Sequence, residues 1–165
     1  MRWPTTGEVD WDAVYAEQLP RIYNYFRFRL ASEADVEELT AATFERAWRA
    51  RDRYRRDLAA LSTWLLRIAR NLAVDHLRAR RDEVPIEAAL DIAASRTPHA
   101  EAEQSSDRAR LAQLTQTLAE RERELIALKY GAMLSNRDIA RLLGLSESNV
   151  GTILHRTVQA LRERW

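Results

Sequence analysis

The residues best placed to do chemistry in this chain are polar side chains spaced to meet a polyanion. From Ser146 onward, Val150, Leu154, Val158 and Leu161 recur at helical spacing and take the inward face, leaving Ser148, Asn149, Thr152, His155, Arg156 and Gln159 outward. Hydroxyl, carboxamide, imidazole and guanidinium groups on one helix face can read base edges in a DNA major groove, with Asn149 suited to adenine and Arg156 to phosphate. A second set lies upstream. Arg67, Arg70, Asn71, Arg78 and Arg81 fall opposite the apolar stripe of Leu61, Leu65, Ile68 and Leu72, on a helix predicted over 62–81. An opened DNA strand presents phosphates along one side and unstacked bases on the other, so a reader needs cations along a groove and a pocket for a base. The basic face of that helix and the loop before it can provide both, the pocket being expected at Tyr54, Arg55, Arg56, Asp57 and Leu58, with Tyr54 either stacking on a base or packing over the helix ends.

Positioning these groups falls to helices, since period-two alternation is missing and apolar residues recur every three or four positions. The expected fold class is all-α: two small helical domains joined by a linker, the C-terminal one a helix-turn-helix. The first helix is predicted from Trp11 to Leu30 behind an Asp10 cap, bent or divided by Pro20. Ser32 to Asp35 form a capping box that opens a second helix to Arg53, with Val36, Leu39, Thr43 and Ala47 on one face and Phe44 and Trp48 beside it. Trp48 and Trp64 are expected as core anchors, and Asp75 as a helix-face partner of Arg78. After a weakly periodic stretch, helices are expected again from Arg108 to Leu118 and from Glu120 to Tyr130, the latter ended by Gly131.

The segment Ser135 to Val150 carries the clearest local instructions. Ser135 caps a short helix, Ala140 permits close helix approach, Gly144 ends that helix in a left-handed conformation, and Ser146 caps the next.

The formal charge of +1 divides unevenly: residues 1–45 carry −5, 46–81 carry +8, 82–107 carry −6 and 108–165 carry +4. Two basic blocks separated by an acid-rich one indicate two polyanion-facing surfaces on either side of a linker, giving domains over 1–81 and 108–165 and an acidic linker over 82–107. The alternative for the 46–81 block is an arginine-rich solvated helix surface, because arginine is a good helix former.

Several function classes are excluded at this level. The glycines are Gly7, Gly131, Gly144 and Gly151, so no Gly-rich phosphate loop is present; cysteine is absent; and His76, His99 and His155 stand far apart. No catalytic constellation, metal site or cofactor is expected, and no small-molecule substrate. Without cysteine, and without an apolar run of the roughly 20 residues a bilayer span requires, the chain is expected to be cytoplasmic, with no secretory address and no membrane insertion.

Three stretches together resemble the small sigma-70-type initiation factors of the extracytoplasmic-function group. Asp35 to Phe44 followed by Ala47-Trp48 resembles the part of sigma region 2 that grips the polymerase clamp helices. Ser62 to Arg78, with its Trp-Leu, Ile-Ala-Arg-Asn and Asp-x-Leu-Arg spacing, is similar to the promoter-melting segment. Leu118 to Arg123 leading into the helix-turn-helix resembles region 4. The resemblance implies core RNA polymerase and promoter DNA as partners. It assigns polymerase contacts to Asp35, Glu37, Glu38, Leu39, Phe44 and Trp48, minus-10 reading to residues 54–78, and minus-35 reading to the C-terminal helix. It also implies an anti-sigma factor, because members of the group are commonly held inactive by one, and a linker passing near the RNA path of the polymerase. The sequence departs from the family pattern at Ala41 and Ala42, where a Gln followed by an acid is usual, and at Gly151 and Ile153, where many relatives carry Lys and Arg. The nearest competing reading is a response-regulator-type DNA binder, which shares the Ser-Asn-Arg-x-Ile-Ala stretch but requires alternating strands that this chain does not offer.

Overall fold

The computed structural model describes residues 9–83 and 104–165, and every regular element among them is helical. The N-terminal half holds α1 (Trp11–Arg29), α2 (Glu33–Arg49), a single 3-10 turn (Arg51–Arg53) and α3 (Leu61–Glu83). The C-terminal half holds α4 (Gln104–Gln116), α5 (Glu120–Ile126) with a π-type turn (Ala127–Gly131), α6 (Asn136–Leu143) and α7 (Glu147–Arg164). The acidic linker expected over 82–107 lies mostly outside the described residues, and α4 starts four positions before the predicted Arg108.

Local chemistry sets the helix starts. The Asp10 carboxylate accepts from the Asp12 and Ala13 amides, each at 3.1 Å, and Ser32 Oγ accepts from the Asp35 amide at 3.3 Å. The Asp35 carboxylate does not complete a reciprocal cap; it turns toward α3, 2.9 Å from Arg80 and 3.2 Å from His76 Nε2. α1 runs unbroken through Pro20. Pro20 and Ala16, whose carbonyl loses its donor, both lie on the exposed side, where an unpaired carbonyl costs little, while Ile22, Tyr25 and Phe26 hold the helix to the core. α2 stops at Arg49 rather than Arg53, the last residues tightening into the 3-10 turn.

Ile22, Tyr25 and Phe26 of α1 meet Val36 and Ala47 of α2 and Leu65, Leu66 and Ala69 of α3, all essentially buried. The α2 threonines join this core by bonding back within their own helix, Thr40 to the Val36 carbonyl at 2.6 Å and Thr43 to the Leu39 carbonyl at 2.7 Å. Burial pushes the Tyr25 phenol well above its ordinary range, with Arg29 acting in the opposite sense. In the C-terminal half the Arg123 guanidinium closes the end of α4, donating to the carbonyls of Thr115 (3.0 Å), Gln116 (2.6 Å) and Leu118 (3.0 Å).

The two halves pack against each other along α1, whose most extensive neighbour is the π-type turn. Gly131 explains the closeness: a Cβ there would lie 2.8 Å from the Asn24 carbonyl oxygen. The residue thus serves a close approach between helices at the end of the predicted helix, and Met133, two positions on, takes a left-handed conformation at φ 59°. Arg29 crosses the same seam, 1% exposed, with its guanidinium donating to the Glu120 carbonyl at 3.2 Å.

Candidate nucleic-acid interface

The helix-turn-helix is built as its sequence instructs. Ser135 Oγ accepts from the Asp138 amide at 3.1 Å and lies 2.7 Å from the Asp138 carboxylate. Gly144 takes φ +67°, and Ser146 Oγ accepts from the Asn149 amide at 3.1 Å. Ile139, Ala140, Val150 and Leu154 are buried. With the inner face committed, Ser148, Asn149, Thr152, His155, Arg156 and Gln159 are all exposed on α7. Ser148, Thr152, His155 and Gln159 follow one row at spacings of four, three and four, with Asn149 and Arg156 on the adjacent row. Thr152 Oγ1 also donates to the Ser148 carbonyl at 3.0 Å.

On α3 the structure divides residues that the sequence had grouped. Arg67, Asn71 and Arg78 are exposed along one row, and Arg67 and Arg78 make no ion pair among the described residues. At about 100° per residue, Arg70 sits roughly 60° away from Arg67 around the helix. There it is half-buried, and its Nε donates to Glu124 of α5 at 2.6 Å. Arg81, eleven residues further on the same side, pairs with Glu120. Two basic rows thus share one helix, one facing solvent and one occupied by acids of the C-terminal half. Asp75 is exposed and makes no pair with Arg78 among the described residues.

In the loop before α3, Arg55, Arg56, Asp57 and Leu58 are exposed, Leu58 at 73%. Arg55 and Asp57 pair at 2.7 Å. Tyr54 packs: its ring centroid lies 5.1 Å from that of Trp64 and its hydroxyl donates to the Ala59 carbonyl at 3.1 Å. Of the two readings of Tyr54, the structure places it over the helix end.

On α2, Glu37 and Glu38 are exposed, Phe44 is half-buried against the Tyr15 ring at 4.8 Å, and Asp35 is half-buried in its pairs with Arg80 and His76. Leu39 is 8% exposed and belongs to the core, being one helical turn from both Val36 and Thr43 on the inner stripe. Trp48, expected as a core anchor, is 41% exposed with the Arg51 guanidinium 4.1 Å above its ring, because α2 ends one residue later and leaves that ring at the bundle's edge. Among the described residues no group of three or more His, Cys, Asp or Glu side chains gathers as metal ligands would. No described helix is long and apolar enough to cross a membrane.

Two family profiles match this arrangement, Sigma-70 region 2 over residues 14–83 and Sigma-70, region 4 over residues 108–161. The chain belongs to the sigma-70 family, in its extracytoplasmic-function group. Among its relatives, the ECF RNA polymerase sigma factor BldN of Streptomyces coelicolor is 28% identical over 94% of this chain, which spans 60% of BldN's length. The ECF RNA polymerase sigma factor SigM of Bacillus subtilis is 26% identical over 92% of both chains. The fold is shared with the sigma factor RpoE solved in complex with the anti-sigma factor NepR from Bartonella quintana, at a TM-score of 0.76 and 22% identity over 93% of this chain and 95% of that one. In sigma terms, region 2 contains the exposed row of α3 and the 54–58 loop, and region 4 contains the α7 face. The sequence reading missed the acids Glu120 and Glu124, which pair with region 2 arginines across the seam between the halves. Their partners stand 39 and 54 residues away, and no local pattern announces them.

Proposed function

We propose that this sigma factor binds core RNA polymerase and brings it to promoter DNA, region 4 reading the minus-35 element as duplex and region 2 reading and opening the minus-10 element. The single observation that supports this best is one polypeptide carrying two separate, outward-facing polar rows: Ser148 to Gln159 on α7 and Arg67, Asn71 and Arg78 on α3. The first fits a major groove, where base edges specify and phosphates position. The second is a cationic track beside an exposed loop, which suits an opened strand. Glu37, Glu38, Phe44 and Trp48, with Asp35 at the start of the same helix, form the polymerase-facing side of region 2 in this reading. The functional division follows 1–81, a linker over 82–107, and 108–165.

The protein acts without a catalytic centre, cofactor or small-molecule substrate, and in the cytoplasm, where the polymerase is. An anti-sigma factor is the further partner. A cleft of about 400 Å³ between Phe28 of α1 and Leu114, Ile126, Val158 and Trp165 of region 4 offers apolar surface on both halves at once, and one inhibitor can hold both through it.

Association tests the reading. Purified chain mixed with core polymerase is expected to co-elute with it, and the pair to retain a promoter duplex that neither retains alone. Tight duplex binding by the chain with no polymerase association would instead favour a simple helix-turn-helix regulator.

A further inference from the structure

The exposed loop that this reading assigns to the minus-10 element bonds mostly within itself, Arg55 pairing with Asp57 at 2.7 Å. Arg55, Arg56, Asp57, Leu58 and Ala60 are exposed; inside the loop, the Leu58 and Ala59 amides donate to the Arg55 carbonyl at 3.0 and 3.3 Å. The Ala60 carbonyl ties the loop's end to α3 by accepting from the Trp64 amide at 3.0 Å, and Tyr54 anchors it by bonding across the loop to the Ala59 carbonyl and laying its ring on Trp64. Trp64 is in turn met by a residue from the far end of the chain's fold. Trp11, the first residue of α1, sets its ring 6.2 Å from Trp64 at 61° and 6.2 Å from Trp48 at 89°, both edge-to-face geometries. Asp10 fixes where α1 begins by capping it. Trp11 thus stands where the ends of α2 and α3 converge, three residues ahead of the region 2 match that starts at 14.

We infer that Trp11 is a positioning residue for promoter reading: through Trp64 and Tyr54 it fixes the 54–58 loop where an unstacked base is received. The inference rests on the function proposed above. A pocket that reads a base must be held to a fraction of an ångström, and an exposed loop gains that precision only from rigid side chains behind it. The ring contacts of Trp11 are with Trp48 and Trp64 rather than with the exposed loop side chains, so its loss is expected to blur base selection rather than abolish binding.

The test uses the full chain in holoenzyme. The wild type first selects templates from a pool of randomised duplexes by run-off transcription, and single-base changes are then placed in the minus-10 and minus-35 elements it selects. Trp11→Ala is expected to lower discrimination at the minus-10 element by about threefold to tenfold, the range that losing the single aromatic contact to Trp64 corresponds to. Discrimination at the minus-35 element should stay within about twofold, well below a tenfold effect, and Trp11→Phe should restore minus-10 discrimination. In the free chain, hydrogen exchange at the Leu58 and Ala59 amides should quicken in Trp11→Ala and not in Trp11→Phe. If the alanine variant does not fold, Trp11→Leu, which keeps an apolar side chain without ring edges, takes its place with the same expectations. Unchanged minus-10 discrimination in a folded variant, equal loss at both elements, or unaltered exchange at Leu58 and Ala59 would each overturn the inference. A wild type that selects no template would count against the proposed function itself, while the exchange measurement, which needs no polymerase, still decides whether Trp11 holds the loop.

Discussion

A methyl group has opposite consequences at two glycines of region 4. At Gly131 the added Cβ would meet the Asn24 carbonyl oxygen at 2.8 Å and its carbon at 2.9 Å, and both are backbone atoms that cannot swing aside. Gly131→Ala should therefore push α1 from the π-type turn and cost about 1–3 kcal/mol, the range for overpacking. At Gly151, inside α7, the nearest atom is the Asn136 side-chain nitrogen at 3.6 Å, an ordinary contact. Gly151→Ala should stabilise by about 1 kcal/mol by removing backbone freedom from the unfolded chain. Thermal unfolding of the two variants checks both signs. Equal effects would mean that Gly131 is not held by α1. The sequence shows Gly151 as a weak point in a helix, but at Gly131 it shows only a glycine near a helix end, because the Asn24 backbone is over a hundred residues away.

Among the elements, the helix-turn-helix was the most legible in sequence, since everything that shapes it is local. Ser135, Gly144 and Ser146 act within one turn of their own positions. Ser146→Ala removes the bond to the Asn149 amide and should cost about 1 kcal/mol. It should also loosen the first turn of α7, where Ser148 and Asn149 sit, and so weaken duplex binding more than the stability loss alone implies. Titrating a minus-35 duplex with the variant and with Ser135→Ala, which caps the other helix, separates the two effects. The continuity of α1 through Pro20 and the exposure of Trp48 were not legible. Each depends on which side of a helix meets water at its place in the bundle, and periodicity fixes that only loosely near helix ends.

For the whole molecule, the important fact is that region 4 lies on region 2 and holds three of its arginines, Arg29, Arg70 and Arg81. Arg70 donates its Nε to Glu124 at 2.6 Å in a partly buried pair, so the carboxylate competes with a phosphate for this guanidinium. Arg67, on the neighbouring row, is already free to bind. Arg67→Gln should leave thermal stability within about 0.5 kcal/mol of the wild type, as surface changes do, while impairing strand opening. Glu124→Gln should cost about 1–3 kcal/mol as a charge-assisted bond is weakened, and should increase the separation of the two halves seen in small-angle scattering. Charge segmentation in the sequence identified both basic blocks, but it could not divide the α3 arginines into a free row and an occupied one. That distinction exists only once α5 has docked.

Transcription itself tests the central claim most directly. Core polymerase supplied with a template pool should initiate at discrete start sites only when this chain is added, and Arg67→Gln should reduce the permanganate reactivity of the opened strand more than it reduces closed-complex binding. A chain that joins the polymerase yet produces no defined start sites, or an Arg67 variant that loses binding and opening in equal measure, would contradict the account.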